Sequence, residues 1–304
     1  MSGIIDFGNV EKLSINVLVD NMADHIMKST SSANRFTEKY LLAEHGLSML
    51  IDINDVGERI MWDTGATKIA LIENMKSMGI DPVTVTKIAL SHGHKDHTTG
   101  LMSMLKKIKR QIPVVAHPEI FLERWRVKEN GRKELIPLLP REKWEAKGAE
   151  LILSKGHYEL APGCWTTGMV PRRSFEKSGI SSWVVVRQGN EYVQDNINDD
   201  QAIVVNLKDK GLVIISGCAH SGIVNTIEYA RKISGVDKVR AIIGGFHLAR
   251  SNLDEIKRTI DAIKSYCPSM VVPMHCTGFK AICEFSVQMP EEFVLGLVGT
   301  TYRF

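Results

Sequence analysis

The segment His92-Gly93-His94-Lys95-Asp96-His97 constrains this chain more than any other, because it crowds three imidazoles and a carboxylate into six positions. Such groups are ligands for zinc, iron or manganese. Two histidines two residues apart can converge on one cation from a tight loop, for which Gly93 supplies backbone freedom. Asp96 and His97 follow a change of direction and can face a second cation beside the first. The apolar stretch KIAL precedes the segment, and the helical pattern GLMSMLKKIKR follows it. This strand–loop–helix order sets the ligands at the carboxyl end of a strand, where loops carry chemistry.

Six residues cannot close two metal sites, so the remaining ligands must come from other strand ends. His220 in SGCAHSG and His275 in VVPMHCTG each follow a buried-looking apolar run and are expected to be ligands. His247 in GGFHLA has the same setting and is read either as a ligand or as a catalytic residue touching substrate. Two-metal hydrolytic sites commonly share a bridging carboxylate. Asp200, in NINDDQAIVV at the start of a strand, is the first choice for that bridge. Cys218 is the alternative as a thiolate, against a reading as a small buried apolar residue. Asp63, in MWDTGAT before a glycine turn, is expected to orient a ligand histidine from behind, or else to cap a turn. His25, His45, His117 and His157 lack such a setting and are read as non-functional.

Apolar patterning predicts strands at SINVLVD, LSMLIDI and RIMWDTG, the last two joined by a turn near 54–58. A helix is predicted over 68–78, since Leu71, Ile72, Met75 and Met78 share a face. PVVAHP reads as a strand. The charged stretch from about 119 to 154, with Pro137, Pro140 and the turn ENGRKE, reads as a lid-like insertion and not a separate domain. Its Trp125 and Trp144 are read as packing residues, with a pocket for a flat ring as the alternative. Further strands are predicted at WVVVRQ, AIVVNL, LVIISGC, VRAIIGG, SMVVPMH and LGLVGTTYRF, and helices over 225–233 and 253–266. Strands precede helices in each half, which suggests one domain over 1–304 with two sheets between helical layers.

Hydrophobic residues at 44% and charged residues at 24% suit a globular protein with a full core. A net charge of +3 gives no reason to expect a nucleic-acid partner. The basic run Lys106, Lys107, Lys109 and Arg110 falls where a helix should end, as the helix dipole favours. No basic start leads into a long apolar stretch, and no run approaches the roughly 18 apolar residues of a membrane span. Five cysteines, odd in number and without a CxxC pair, point to reduced thiols in the cytoplasm.

DTG at 63–65 and SHGHKDH at 91–97 resemble the first two motifs of the metallo-β-lactamase superfamily, and the likeness extends from about Leu41 to the C-terminus. AEHGLS, TTGMVPR, GCAHSG, GGFHL and HCTG are similar to a narrower group of metal-dependent hydrolases, which includes a methanopterin-pathway pterin synthase. The chain departs from hydrolases such as glyoxalase II, which carry GHTPG-type and GD motifs where NDDQA and SGCAH stand here. The resemblance implies an α/β fold, a four-layer αββα sandwich of two mixed sheets flanked by helices. It also implies two divalent metal ions, zinc first, with manganese or iron as alternatives. His92, His94, Asp96, His97 and His275 carry over by motif, Asp200 and His220 by position.

The activity so implied is hydrolysis of a small phosphoester or other ester by an activated hydroxide, with Asp96 and His247 in catalytic roles. The alternatives are a pterin transferase, joining a dihydropterin-methyl diphosphate to an aromatic amine, and a non-catalytic metal-binding module. A small anionic substrate is expected, with Arg172, beside Arg173, either clamping it through a guanidinium fork or lying in solvent. A homo-oligomer is compatible with this reading. An electron-transfer diiron protein is disfavoured, as that branch replaces a loop histidine by glutamate and carries a flavin domain. The modest charge disfavours a nuclease.

Overall fold

The computed structural model describes residues 6–176 and 183–304. Its first large sheet runs, in spatial order, Asn34–Arg35, Thr300–Arg303, Leu13–Val19, Ser48–Ile53, Glu58–Trp62, Lys87–Ala89, Ile112–Ala116 and Ala149–Leu153. It is antiparallel up to Glu58–Trp62 and parallel beyond. The second runs Tyr158–Ala161, Cys164–Thr166, Ala202–Leu207, Gly211–Ser216, Val239–Gly245 and Met270–Met274. Its last three strands are parallel.

Side-chain alternation along these strands builds the layers. Ile15, Ile51, Ile60 and Trp62 of the first sheet pack against Ile203, Val213, Ile215 and Val272 of the second. The intervening residues Leu50, Met61, Ile88 and Val114 turn outward under the helices Ala70–Ser77 and Leu101–Ile108. Val204, Ile214, Ile242 and Val271 do the same under Ile223–Ser234, Leu253–Ser265 and Phe279–Gln288. Strands covered on both faces are apolar throughout, as the fully buried Gly211–Ser216 illustrates. The result is the αββα arrangement of two mixed sheets between helical layers.

A third, four-stranded antiparallel sheet lies outside this sandwich, in the order Glu191–Gln194, Val184–Gln188, Arg124–Val127 and Lys133–Leu135. It corrects two expectations. Part of WVVVRQ, Val184–Gln188, belongs to this small sheet and not to the sandwich. The lid-like stretch is shorter than 119–154, because Ala149–Leu153 is the parallel edge strand of the first large sheet. Trp144 is buried in the core beneath that sheet, with its ring 5.9 Å from Phe121. Trp125 instead meets Tyr192 at 5.6 Å within the small sheet, so the two tryptophans do not share a pocket. No described helix is long and apolar enough to cross a membrane.

Candidate metal centre

Five strands that run parallel to a neighbour deliver their carboxyl ends to one edge of the sandwich, and the sequence-predicted residues follow them. Asp63 follows Glu58–Trp62, His92 follows Lys87–Ala89, and Cys218 with His220 follow Gly211–Ser216. His247 and His275 follow Val239–Gly245 and Met270–Met274. His94 then occupies the N-cap position of the short helix Lys95–Thr98, which turns Asp96 and His97 away from the two preceding histidines.

Two groups of donors result. His92, His94 and His220 form one, and Asp96, His97, Cys218 and His275 the other, with the donor atoms of each group within 4.8 Å of one another. In the first, His92 Nε2 and His220 Nε2 approach to 3.2 Å. In the second, His97 Nε2 lies 3.2 Å from Cys218 Sγ, and Asp96 Oδ2 lies 3.5 Å from His97 Nε2 and 3.4 Å from His275 Nε2.

The rear nitrogens are tied so that the front ones are left free. Asp63 Oδ2 pairs with His97 Nδ1 at 2.7 Å and accepts Ser91 Oγ–H at 2.7 Å, while Asp63 Oδ1 accepts the Ser91 N–H at 2.7 Å. With its proton given to Asp63, Ser91 Oγ is left to accept from His92 Nδ1, 2.9 Å away. His275 Nδ1 contacts Asn21 Oδ1 at 3.0 Å, and its buried Nε2 makes no hydrogen bond. Backing of this kind fixes a histidine tautomer and presents the opposite lone pair to a cation. Gly217 is needed for the close packing behind the donors, since a Cβ there would come within 2.2 Å of Ser91 Oγ.

Electrostatics favour the same use. Burial, reinforced by neighbouring imidazoles, pushes the His92 pKa well below its ordinary value. Burial also lowers His94, and it carries His275 down to about 4 against the opposing charge of Asp96. These rings are therefore neutral, as ligands must be. Burial disfavours the imidazolium of His97 too, but Asp63 and Asp96 outweigh it and raise that pKa well above the usual range. Burial, then Cys276, keeps the Cys218 thiol protonated. A cation entering the second group would displace protons from both. An orphaned buried imidazole nitrogen amid carboxylate, thiol and imidazole donors fits a divalent cation of the zinc type.

Three sequence expectations are met differently. Asp200 stands outside the two donor groups, the second of which includes Cys218; its Oδ2 accepts the Ser221 N–H at 2.8 Å and so pins the loop carrying His220, while its buried Oδ1 has no hydrogen-bond partner. Burial lifts the Asp200 carboxyl to about 6, against the pull of the Ser221 and His220 N–H groups. Arg172 is not an open clamp, because its guanidinium donates to the His220 carbonyl and, at 2.7 Å, to that of Asn196. The Arg173 side chain lines a separate hollow with Asn225 and Lys232. His45, read as idle, has Nε2 3.7 Å from Asp96 Oδ2 and its ring 5.1 Å from that of His275.

His247 lies outside both groups, its ring 4.3 Å from that of His220. Burial and then His94 bring its pKa down to about 4. His117 uses its ring to cap the turn at Glu119, His25 packs on Tyr40, and His157 packs near Trp165.

The sequence reading missed the group that braces the His92 loop from the insertion. Arg124 Nη2 donates to Asp199 Oδ1 at 2.6 Å and its Nε to Asp195 Oδ2 at 2.7 Å, while Asp199 Oδ2 accepts the Gly93 N–H at 2.7 Å. Glu44 was missed likewise; its Oε1 accepts the N–H groups of Ala66 at 2.8 Å and Thr67 at 3.1 Å and holds the turn after Asp63. For Arg124 the one local signal was an arginine alternating inward along RWRV, which does not name its partner.

A family model described as the metallo-beta-lactamase superfamily matches residues 42–231. The chain is 33% identical over 307 residues to the 7,8-dihydropterin-6-methyl-4-(beta-D-ribofuranosyl)-aminobenzene-5'-phosphate synthase of Methanocaldococcus jannaschii, covering 99% of this chain and 100% of that one. Among solved structures, Tm1679, a metal-dependent hydrolase of the beta-lactamase superfamily, aligns with a TM-score of 0.75 at 23% identity, over 95% of this chain and 98% of the other. A diphosphatase of the PhnP family aligns with a TM-score of 0.52 at 15% identity, over 96% and 98%.

Proposed function

Because the chain belongs to the metallo-β-lactamase superfamily, we propose that it is a two-metal enzyme that hydrolyses a small phosphoester or related ester. In this reading His92, His94 and His220 hold one divalent cation, and Asp96, His97, Cys218 and His275 hold the other. The observation that carries it is the pair of adjacent buried donor groups, each backed by hydrogen bonds that aim its lone pairs inward. Zinc suits a set containing a thiol and imidazoles better than manganese does. Cations held there would lower the pKa of a water and polarise a phosphoryl or carbonyl oxygen.

The chain's own residues supply the rest. His247, neutral and beside His220, is the group best situated to orient the substrate by hydrogen bonding and, as a base, to accept a proton during the reaction. Asp63 and Ser91 keep His97 and His92 in register. Asp200 and Arg172 hold the His220 loop by its backbone. Five unpaired cysteines support a reducing compartment such as the cytoplasm.

The full-length likeness to the pterin-pathway synthase favours a second reading. There an aromatic amine attacks the methylene carbon of a pterin-methyl diphosphate, the carbon–oxygen bond breaks, and diphosphate leaves as the amine loses its proton. One experiment separates the two. The purified chain is assayed for bound metal, then offered a phosphoester panel and a pterin-methyl diphosphate with an aminobenzene. Release of alcohol and inorganic phosphate supports hydrolysis, and a carbon–nitrogen adduct with diphosphate supports transfer. Fewer than two bound cations after loading with zinc, or activity indifferent to chelators, refutes the two-metal reading.

A further inference from the structure

Outside the donor groups, a cleft of ≈ 780 Å³ is walled by Arg126, Lys128, Arg132, Trp183 and Arg250, with Glu129 and Glu134 at its side. Lys128 pairs with Glu134 at 3.0 Å, whereas Arg126, Arg132 and Arg250 make no ion pair within 4.0 Å among the described residues, although Arg126 and Arg132 lie near enough to Glu134 to help hold its carboxyl low. Trp183 leaves 54% of its surface exposed in this charged setting, with the Arg250 guanidinium 5.7 Å from its ring centroid. Guanidiniums outside close ion pairs around a half-exposed indole suit an anion attached to a flat ring, since the fork matches phosphate oxygens and the indole stacks.

Both walls are tethered to the metal centre. Arg126 lies two residues beyond Arg124 on the same face of the strand Arg124–Val127, about 7 Å farther out. Arg124 is the residue that braces the Gly93 loop through Asp199. On the other side Arg250 is three residues from His247, a chain reach of about 10 Å at most, and the His247 ring touches that of His220. The carbonyl of Trp183 accepts the Val127 N–H at 2.8 Å, which joins the indole to the first wall.

We propose that this cleft is a distal anion subsite, in which Arg126, Arg132 and Arg250 hold a terminal phosphate and Trp183 stacks the ring that carries it. The substrate then has two functional ends, a bond that reacts at the metal centre and a phosphate recognised some way from it. This rests on reading the centre as acting on a phosphorylated small molecule, and it narrows that substrate to a ring-bearing phosphate.

The test uses the metal-free full-length chain, so that bound cations do not contribute, with phenyl phosphate as the probe and tryptophan fluorescence as the readout. Wild type is expected to bind, more weakly as salt is added. Arg126→Ala and Arg250→Ala should each weaken binding about tenfold, or about 1.4 kcal/mol, and the double variant by more than either alone, with any departure from about a hundredfold reporting their coupling through the shared phosphate. Trp183→Leu should reduce the preference for phenyl over methyl phosphate about fivefold. Zinc uptake is measured on every variant and should match wild type. Absence of wild-type binding at millimolar phenyl phosphate, or a double variant that binds as tightly as wild type, overturns the subsite. A chain that binds phenyl phosphate in this arginine-dependent way but takes up no zinc keeps the subsite and refutes the two-metal reading.

Discussion

Replacing Arg124 by methionine should damage the fold and the metal centre together. Arg124, Asp195 and Asp199 retain only 6%, 3% and 0% of their exposure, so deleting the guanidinium strands two buried carboxylates. Removing one partner of a buried pair costs about 3–5 kcal/mol. Asp195 keeps an N–H from Ile197 at 2.9 Å, and Asp199 keeps that of Gly93 at 2.7 Å, which favours the lower half of that range. At about 2 °C per kcal/mol for a chain of this size, the melting temperature should fall by about 6–8 °C. Without Arg124 the Asp199 carboxylate that accepts the Gly93 N–H is less firmly placed, so the affinity of the His92, His94 and His220 group should drop about tenfold, the low end of the range for a disturbed outer hydrogen-bond partner. Calorimetry of the metal-free chain and zinc titration against a competing chelator measure the two effects separately. Converting Asp195 and Asp199 to asparagine in the Arg124→Met background should restore most of the stability, because neutral amides need no counter-charge. A melting temperature unchanged by Arg124→Met would refute the bracing role. A triple variant as unstable as the single one would trace the loss to packing instead of stranded charge.

Further outcomes follow from the same geometry. Cys218→Ser should abolish the sulfur-to-metal charge-transfer band of the cobalt-loaded chain and weaken one of its two sites, while Asp200→Asn should leave that band and both cations in place; a band that survives Cys218→Ser would refute the thiolate ligand, and loss of a cation in Asp200→Asn would return the bridging role to Asp200. His247→Ala should retain both cations and lower turnover about 10²- to 10⁴-fold, the range for a lost proton-transfer group, and loss of a cation would instead make it a ligand. Gly217→Ala forces a Cβ to within 2.2 Å of Ser91 Oγ. It should destabilise the chain by about 1–3 kcal/mol, as overpacking does, and a denaturation midpoint equal to wild type would contradict the close contact.

How much was legible in the sequence depended on whether the signal was local. The His92 to His97 loop declares itself because its donors are neighbours in the chain, and His220 and His275 because each ends an apolar strand. The sandwich was legible because strands buried on both faces are apolar throughout. Asp200 was legible as a carboxylate at a strand start, but only the fold reveals that the Ser221 N–H occupies its Oδ2 while its buried Oδ1 has no hydrogen-bond partner. Cys218 carried the opposite ambiguity, since a buried cysteine looks the same whether it packs or binds. Arg124 and Asp199 are 75 positions apart and belong to different sheets or loops, so no window of sequence contains both. The edge strand Ala149–Leu153 was hidden for a related reason: its AELIL pattern is short and its pairing with Ile112–Ala116 is non-local.

The aim of the donors depends on backbone that is unfavourable by itself. Asp63, Ala219, His247 and His275 all adopt left-handed conformations, with φ of 59°, 53°, 50° and 51°. Residues other than glycine held there cost about 1–3 kcal/mol each and persist only where surrounding contacts determine them. At two of the four, such contacts are explicit: Ser91 and His97 hold the Asp63 carboxylate, and Asp20 accepts the His275 N–H at 2.9 Å. An extended strand would send successive side chains to opposite faces, into the core or under the helices. One left-handed residue at the carboxyl end turns the chain away from that course, and at Asp63, His247 and His275 it is the site residue itself. The parallel strands thus decide where the donors gather, and the strained residues decide which way they point. Glycine, which relaxes that strain most readily, would do so by giving up the aim.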